Sequence, residues 1–371
     1  MNDILFLTLR TFSATGGIEK MCRIIGKAVF ELGKEKDRSV SILSMYDKSS
    51  DAEENQYFPT EIFHGSGERK FSFVYRAVAE GRKSRVVVLS HFNLLTVAKL
   101  IKKVNPSVKV IMLAHGIEVW NTLPPSKRKS LSLCDEILCV SNFTRDRIIS
   151  VHGLNAGRCK VLNNCLDPYL GAGAAPGTIE GIRQKYGFMP SDKVIFTLAR
   201  LSSREKYKGY DMVIRALALL KDKYPRLRYL LSGGYDNEEK DAVLSLASES
   251  GVGDRVTITG YLPDSEFAAH FQAADMYVMP SREEGFGIVF IEAMKFGLPV
   301  IGGKADGTVD ALQNGELGIL VDPNNEKDLA HAIEKLIIET THHLPDQKKL
   351  EALFGFTAYK RKLNYLLQPF I

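Results

Sequence analysis

Short apolar runs alternate with amphipathic stretches along the chain. In the first half the runs are DILFLTL (3–9), SVSILSM (39–45), RVVVLSHF (85–92), KVIMLAHG (109–116), EILCVS (136–141) and CKVLNN (159–164). The second half repeats the pattern with VIFTLAR (194–200), RYLLSGG (228–234), VTITGY (256–261), MYVMPS (276–281), PVIGG (299–303) and GILVDP (318–323). Continuous runs, rather than strict polar/apolar alternation, predict strands buried on both faces of a parallel sheet. Between them lie helical patterns. In YDMVIRALALLKDKY, Tyr210, Val213, Ile214, Leu217 and Leu220 share one helical face. Strand, helix, strand repeated twice over predicts an α/β fold of two doubly wound, Rossmann-like domains.

A length of 371 residues suits two domains better than one core. The stretch NNCLDPYLGAGAAPG lacks strand character, and its Gly, Ala and Pro content places a hinge near residues 166–177. The expected division is 1–166, 167–355 and a terminal segment 356–371. Gly171 and Gly173 resemble a dinucleotide fingerprint, but no strand runs into them, so they read as linker. No G-x-x-x-x-G-K-[ST] is present, which argues against a P-loop nucleotidase. MNDILFLTLR has no basic leader region, and no run of 18 apolar residues occurs. Cys22, Cys134, Cys139, Cys159 and Cys165 are scattered, with no C-x-x-C pair. Together these features predict a cytoplasmic, reducing location and no structural zinc.

Net charge is +5, unevenly spread. Through Asn164 there are 25 Lys/Arg against 16 Asp/Glu, and beyond it 24 against 28. The basic first half suits a phosphate-bearing partner or an anionic membrane surface. LLTVAKLIKKV (94–104) and PPSKRKSLSL (124–133) combine apolar and basic residues and are candidates for such contact, although ordinary surface helices have the same composition.

Ligands of open parallel sheets bind beyond the carboxyl ends of strands, and candidate chemistry follows strands in both halves. After MYVMPS comes SREEGFG and then a helix from about Gly287. Gly285 and Gly287 permit close backbone approach, and the amides of Gly287, Ile288 and Val289 would leave the helix N-terminus as an anion site. Glu292 lies one turn on from Ile288, where it can accept hydrogen bonds from a vicinal diol such as a ribose. Glu284, on the other side of the glycines, can do the same for other hydroxyls. Two carboxylates flanking an anion site fit a sugar–diphosphate–sugar arrangement, that is, a nucleotide sugar. Arg200 and Lys208, near another strand end, can neutralise a diphosphate, and Lys206 can share or take that role. Gly16 and Gly17 open a helix after the first strand. His115 follows the fourth predicted strand, where both a structural and a catalytic role are open. Asp306 and Asp310 either line the cleft or cap a helix. No D-x-D is present to hold a divalent metal.

With these residues assembled, the chain resembles the retaining glycosyltransferases of family GT4 (glycosyl transferases group 1), which have the GT-B fold. PSREEGFGIVFIEAMKFGLPVI is similar to the family's E-x7-E signature, and LARL…KG, TGYLPDSEF, ADMYVMPS and GILVDP follow in the family's order. GGIEKM, AHGIEVW and CVSNFTRD extend the resemblance into the first half. The resemblance implies two domains facing across a cleft, with the terminal segment a helix crossing back to the first domain through Tyr359, Leu363, Leu366 and Leu367. It implies that Glu292 binds the ribose and that Glu284 and His115 contact the transferred hexose. Phe286, Gly287 and Ile288 would line the sugar and diphosphate. Arg200 and Lys208 would bind the diphosphate, with Gly17 approaching it, and Gly16, Tyr261, Gly285 and Val289 complete the donor set. Lys208 lies eight positions after Arg200, further than the family often has, which leaves Lys206 and Lys208 as alternatives. The implied reaction is transfer of a glucose- or mannose-type hexose from a nucleoside diphosphate to a saccharide or lipid-linked acceptor, without metal or other cofactor. No nucleic-acid partner is expected. A sugar-nucleotide epimerase and a non-catalytic nucleotide-sugar binder are the rival readings.

Overall fold

The computed structural model describes residues 3–171 and 173–371. Met1, Asn2 and Ala172, the last within the predicted hinge, lie outside the described residues. The chain divides into two compact units, residues 1–168 with 353–371, and residues 169–352.

The first unit is built on a seven-stranded sheet: β1 (Ile4–Thr8), β2 (Val40–Ser44), β3 (Phe63–Gly65), β4 (Val86–Leu89), β5 (Lys109–Ala114), β6 (Glu136–Cys139) and β7 (Cys159–Val161). Its order is β3-β2-β1-β4-β5-β6-β7, all parallel. The second holds six: β8 (Lys193–Leu198), β9 (Leu227–Ser232), β10 (Val256–Gly260), β11 (Met276–Met279), β12 (Val300–Gly303) and β13 (Ile319–Val321). Its order is β10-β9-β8-β11-β12-β13, again all parallel. Each apolar run noted above overlaps one of these strands, β8 and β9 beginning one residue earlier than their runs. The exception is β3, which no run announced: it has three residues and sits at the sheet edge, too short to carry a pattern.

The central strands are buried throughout, as β1 and β4 show, because helices cover both sheet faces. One apolar core surrounds β1, β4 and β5, and another β8, β9 and β11. Strand order reverses between β1 and β4 in the first unit and between β8 and β11 in the second. At such switch points the loops leaving neighbouring strands diverge and leave a crevice.

The terminal helix Phe356–Leu367 belongs to the first unit, where it packs on helix Gly17–Glu35. Tyr359, Leu363, Leu366 and Leu367 are its buried stripe.

Candidate functional site

In the second unit two loops meet at the β8/β11 switch point. The loop after β8 turns through a short 3-10 segment, Lys206–Lys208, into helix Tyr210–Leu220. The loop after β11 passes through residues 280–287 into helix Ile288–Lys295. Two hydrogen bonds sew them together: the Arg282 amide donates to the Tyr207 carbonyl at 2.8 Å, and Arg282 Nη2 to the Lys206 carbonyl at 2.9 Å. Gly209 makes the approach feasible. Its φ is +80°, and a Cβ there would stand 2.3 Å from the Pro280 carbonyl oxygen.

This contact places Lys208 against Glu284, with Nζ to Oε2 at 2.5 Å and both side chains mostly buried. Burial alone would lower the lysine's pKa, but the Glu284 carboxylate reverses that and the net shift is upward. Lys206 goes elsewhere. Its ammonium pairs at 3.2 Å with Glu239, a buried carboxylate that also accepts from the Tyr210 hydroxyl at 2.7 Å. Two residues apart on a tight turn, the lysines serve different partners, which the sequence left undecided. Arg200 lies two residues past β8, is 68% exposed, and stands 3.4 Å from Glu205. It is thus further from the strand than the apolar run suggested.

The backbone of Glu284 is held by Asp306, in the loop after β12. Buried Asp306 accepts from the Glu284 amide at 2.7 Å and from Ser281 Oγ at 2.8 Å through one oxygen. The other oxygen accepts from the Thr308 amide at 2.9 Å, and the Gly307 amide donates to the Glu284 carbonyl at 2.8 Å. Three loops, from β8, β11 and β12, therefore converge on Glu284. Burial pushes the Asp306 carboxyl up to about 6, against the lowering influence of its bonds to Thr308 and Ser281. The sequence offered Asp306 as a wall or a cap; it is a loop anchor, and Gly307 is the N-cap of the following helix Thr308–Ala311.

Gly287 caps helix Ile288–Lys295 at φ +81°, and a Cβ there would lie 2.5 Å from the Phe290 ring. Gly285, Phe286, Gly287, Ile288 and Val289 thus form the turn into this helix, with Phe286 buried. Glu292, one turn on, is also buried. Tyr277 on β11 lies within the field of both Glu284 and Glu292; burial first, then these carboxylates, raises its hydroxyl well above its ordinary pKa. Both acids of the E-x7-E signature therefore reach one region of the unit. Tyr261, in contrast, is 62% exposed beyond β10, the edge strand two places from β8.

In the first unit Gly16 is the N-cap of helix Gly17–Glu35, just past β1. The preceding loop hangs on Asp47, a buried carboxylate after β2 that accepts from the Thr11 amide at 2.6 Å and the Ser13 amide at 2.8 Å. Sequence reading missed Asp47, since a lone acid after a strand carries no pattern. His115 follows β5. Its ring Nε2 is 2.8 Å from the Ser90 carbonyl, which accepts only, so Nε2 bears a proton and Nδ1 is left for other chemistry. Its amide donates to Glu118 Oε1 at 2.6 Å. Among the described residues no group of three or more His, Cys, Asp and Glu is placed to hold a metal ion.

Residues 178–351 match the family described as Glycosyl transferases group 1. The chain is 31% identical over 242 residues to a GDP-mannose-dependent alpha-(1-6)-phosphatidylinositol monomannoside mannosyltransferase of Mycolicibacterium smegmatis, covering 62% of this chain and 61% of that protein. It is 37% identical over 169 residues to a D-inositol 3-phosphate glycosyltransferase of Corynebacterium aurimucosum, covering 44% of this chain and 39% of that protein. The match thus spans about three fifths of the first relative's length or less. Among solved structures, Anabaena Alr3699/HepE in complex with UDP superposes with a TM-score of 0.80 at 21% identity, over 99% of this chain and 100% of that one, a likeness of fold.

Proposed function

Starting from a chain whose residues 178–351 match the glycosyl transferases group 1 family, we propose that it is a retaining glycosyltransferase. It moves a hexose of glucose or mannose type from a nucleoside diphosphate to a saccharide or lipid-linked acceptor. The observation that carries this reading is the meeting of Lys208 and Glu284 at the β8/β11 switch point, beside the N-terminus of helix Ile288–Lys295.

The roles follow from chemistry. The first amides of that helix and the Lys208 ammonium stabilise charge as it develops on the departing diphosphate. The phosphate competes with Glu284 for Lys208, and Glu284 is then released toward the hexose hydroxyls. Arg200, exposed and weakly paired, is a second cation for the diphosphate. Glu292 accepts from the ribose diol. His115 is kept as the catalytic candidate of the first unit, its Nδ1 left open by the Ser90 contact. The anomeric carbon passes through an oxocarbenium-like state, the bond to the diphosphate oxygen breaks, and the acceptor oxygen bonds to the same face. The acceptor's proton passes to the leaving phosphate. Lysine and peptide dipoles take the part of a metal in this scheme. The relatives named for mannosyl and glycosyl transfer support the class of donor.

The test is a panel of UDP-, GDP- and ADP-sugars, screened first for thermal stabilisation and then for transfer, with EDTA present. One donor should raise the melting temperature and yield product of unchanged anomeric configuration by NMR. Stabilisation by none of them, or an inverted product, overturns the reading; an epimer formed from donor alone points to the rival reaction.

A further inference from the structure

We infer that His91 and His115 form a hydroxyl-binding pair in the first unit, His91 donating to the hydroxyls of a saccharide and His115 accepting from them. The role of the pair rests on the transferase reading. His91 is a residue that neither motif nor periodicity singled out.

The two rings come from neighbouring strand ends. Leu89 on β4 pairs with Met112 on β5, so the chain leaving β4 reaches His91 beside the residues that lead to His115. Sheet order reverses between β1 and β4, next to this point. Each ring is fixed by a backbone group of the loop after β4. The Asn93 amide donates to His91 Nδ1 at 3.1 Å, so that nitrogen carries no proton and Nε2 carries the ring's own. At His115 it is Nε2 that is engaged, donating to the Ser90 carbonyl at 2.8 Å, and Nδ1 is bare. The two remaining nitrogens, His91 Nε2 with its proton and His115 Nδ1 without one, are therefore one donor and one acceptor. Both rings are half-buried, and neither nitrogen is among the buried atoms that lack a partner, so each is open to a solute.

The surroundings hold this division of roles. The Phe92 ring lies against His91 with centroids 4.7 Å apart. Lys127 sits over Phe92 at 4.8 Å and donates to Asn93 Oδ1 at 3.2 Å, pinning the loop. Glu118 accepts from the His115 amide at 2.6 Å. His91 feels all three charged or titratable neighbours: burial first, then His115 and Lys127, lower its pKa, while Glu118 opposes them. A histidine lowered from its ordinary value is neutral near pH 7, which keeps Nδ1 free to accept from Asn93.

The chemistry selects the ligand. A phosphate or carboxylate only accepts and leaves His115 Nδ1 unanswered. An ammonium only donates and meets the His91 N–H head on. A hydroxyl does both. The transferred hexose and the acceptor saccharide both supply hydroxyls, and their Michaelis constants distinguish the two sources.

His91 also caps the short turn Phe92–Leu94, and two substitutions separate that duty from ligand binding. Asparagine keeps an acceptor for the Asn93 amide and removes the outer donor. Glutamine keeps a donor near the Nε2 position and gives up the cap. His91→Asn should raise the KM of one substrate about tenfold while kcat changes less than about threefold, and His91→Gln should recover most of that loss. A raised KM for the nucleotide sugar assigns the hydroxyl to the transferred hexose; a raised KM for the acceptor assigns it there. His91→Asn equal to the wild type, with His91→Gln impaired, makes His91 a cap alone and overturns the proposal. Independently of turnover, long-range proton–nitrogen NMR of the histidine-labelled full chain at about pH 8 should show both rings protonated at Nε2 only. Methyl α-mannoside or methyl α-glucoside at high concentration should then shift His91 Nε2 and His115 Nδ1, and inorganic phosphate should shift neither. Either ring with its proton on Nδ1, or phosphate moving the pair more than the glycosides do, overturns the proposal. A chain that gives the expected NMR result yet transfers no sugar refutes the transferase reading instead.

Discussion

Glu284 stands at the junction of three loops, and its surroundings make specific demands. Replacing Lys208 with alanine leaves a mostly buried carboxylate without its cation and removes a donor aimed at the diphosphate. The expected result is a loss of roughly 10²–10³ in kcat, about 3–4 kcal/mol, with a smaller effect on donor affinity. Lys206→Ala, whose partner is Glu239, should cost less than tenfold in kcat. Steady-state kinetics on both variants measures the difference, and equal losses would remove the distinction between the two lysines. Asp306 provides a second handle. Its carboxyl titrates near 6 rather than at the ordinary 3.8, so between those values the folded chain binds the proton and the unfolded chain does not. Stability from this group is therefore fully present below about pH 4 and is lost as pH rises through about 6. The swing is on the order of 3 kcal/mol. Asp306→Asn should flatten that part of the stability curve, as read by denaturant unfolding at a series of pH values. A slope unchanged by the substitution would contradict the assignment.

At the scale of elements, the turn into helix Ile288–Lys295 depends on a left-handed residue. Gly287→Ala puts a Cβ into the Phe290 ring and imposes the left-handed penalty of about 1–2 kcal/mol. To relieve it, the first turn must shift, and with it the amides that face the proposed diphosphate. The variant should melt earlier and bind donor more weakly, whereas an alanine at exposed Gly297, which has no close neighbour, should change stability but not affinity. Calorimetry with and without donor separates the two effects. The elements themselves were largely legible. Buried parallel strands demand continuous apolar runs, and a helix opening on glycine demands Gly-Phe-Gly or Gly-Gly before its apolar face. Only β3 escaped, because three edge residues with one buried side chain make no pattern.

For the whole molecule, the first unit is closed by a segment distant in sequence. Helix Phe356–Leu367 buries four apolar side chains there, and Lys360 reaches Glu31 at 2.8 Å and Glu35 at 2.9 Å. Deleting residues 356–371 should cost the first unit on the order of 5 kcal/mol or more. Hydrogen exchange should then show helix Gly17–Glu35 losing protection while β8 to β13 keep theirs. By itself the sequence determined the two α/β units, the strand-end loops, and the residue types able to meet a nucleotide sugar, since these rest on local periodicity and on short motifs. Tertiary structure alone decided that Lys208 rather than Lys206 faces Glu284, that Asp306 and Asp47 anchor the loops, and that His91 and His115 leave neighbouring strand ends. Those outcomes depend on strand order and on which loops converge in space, and a one-dimensional pattern carries neither.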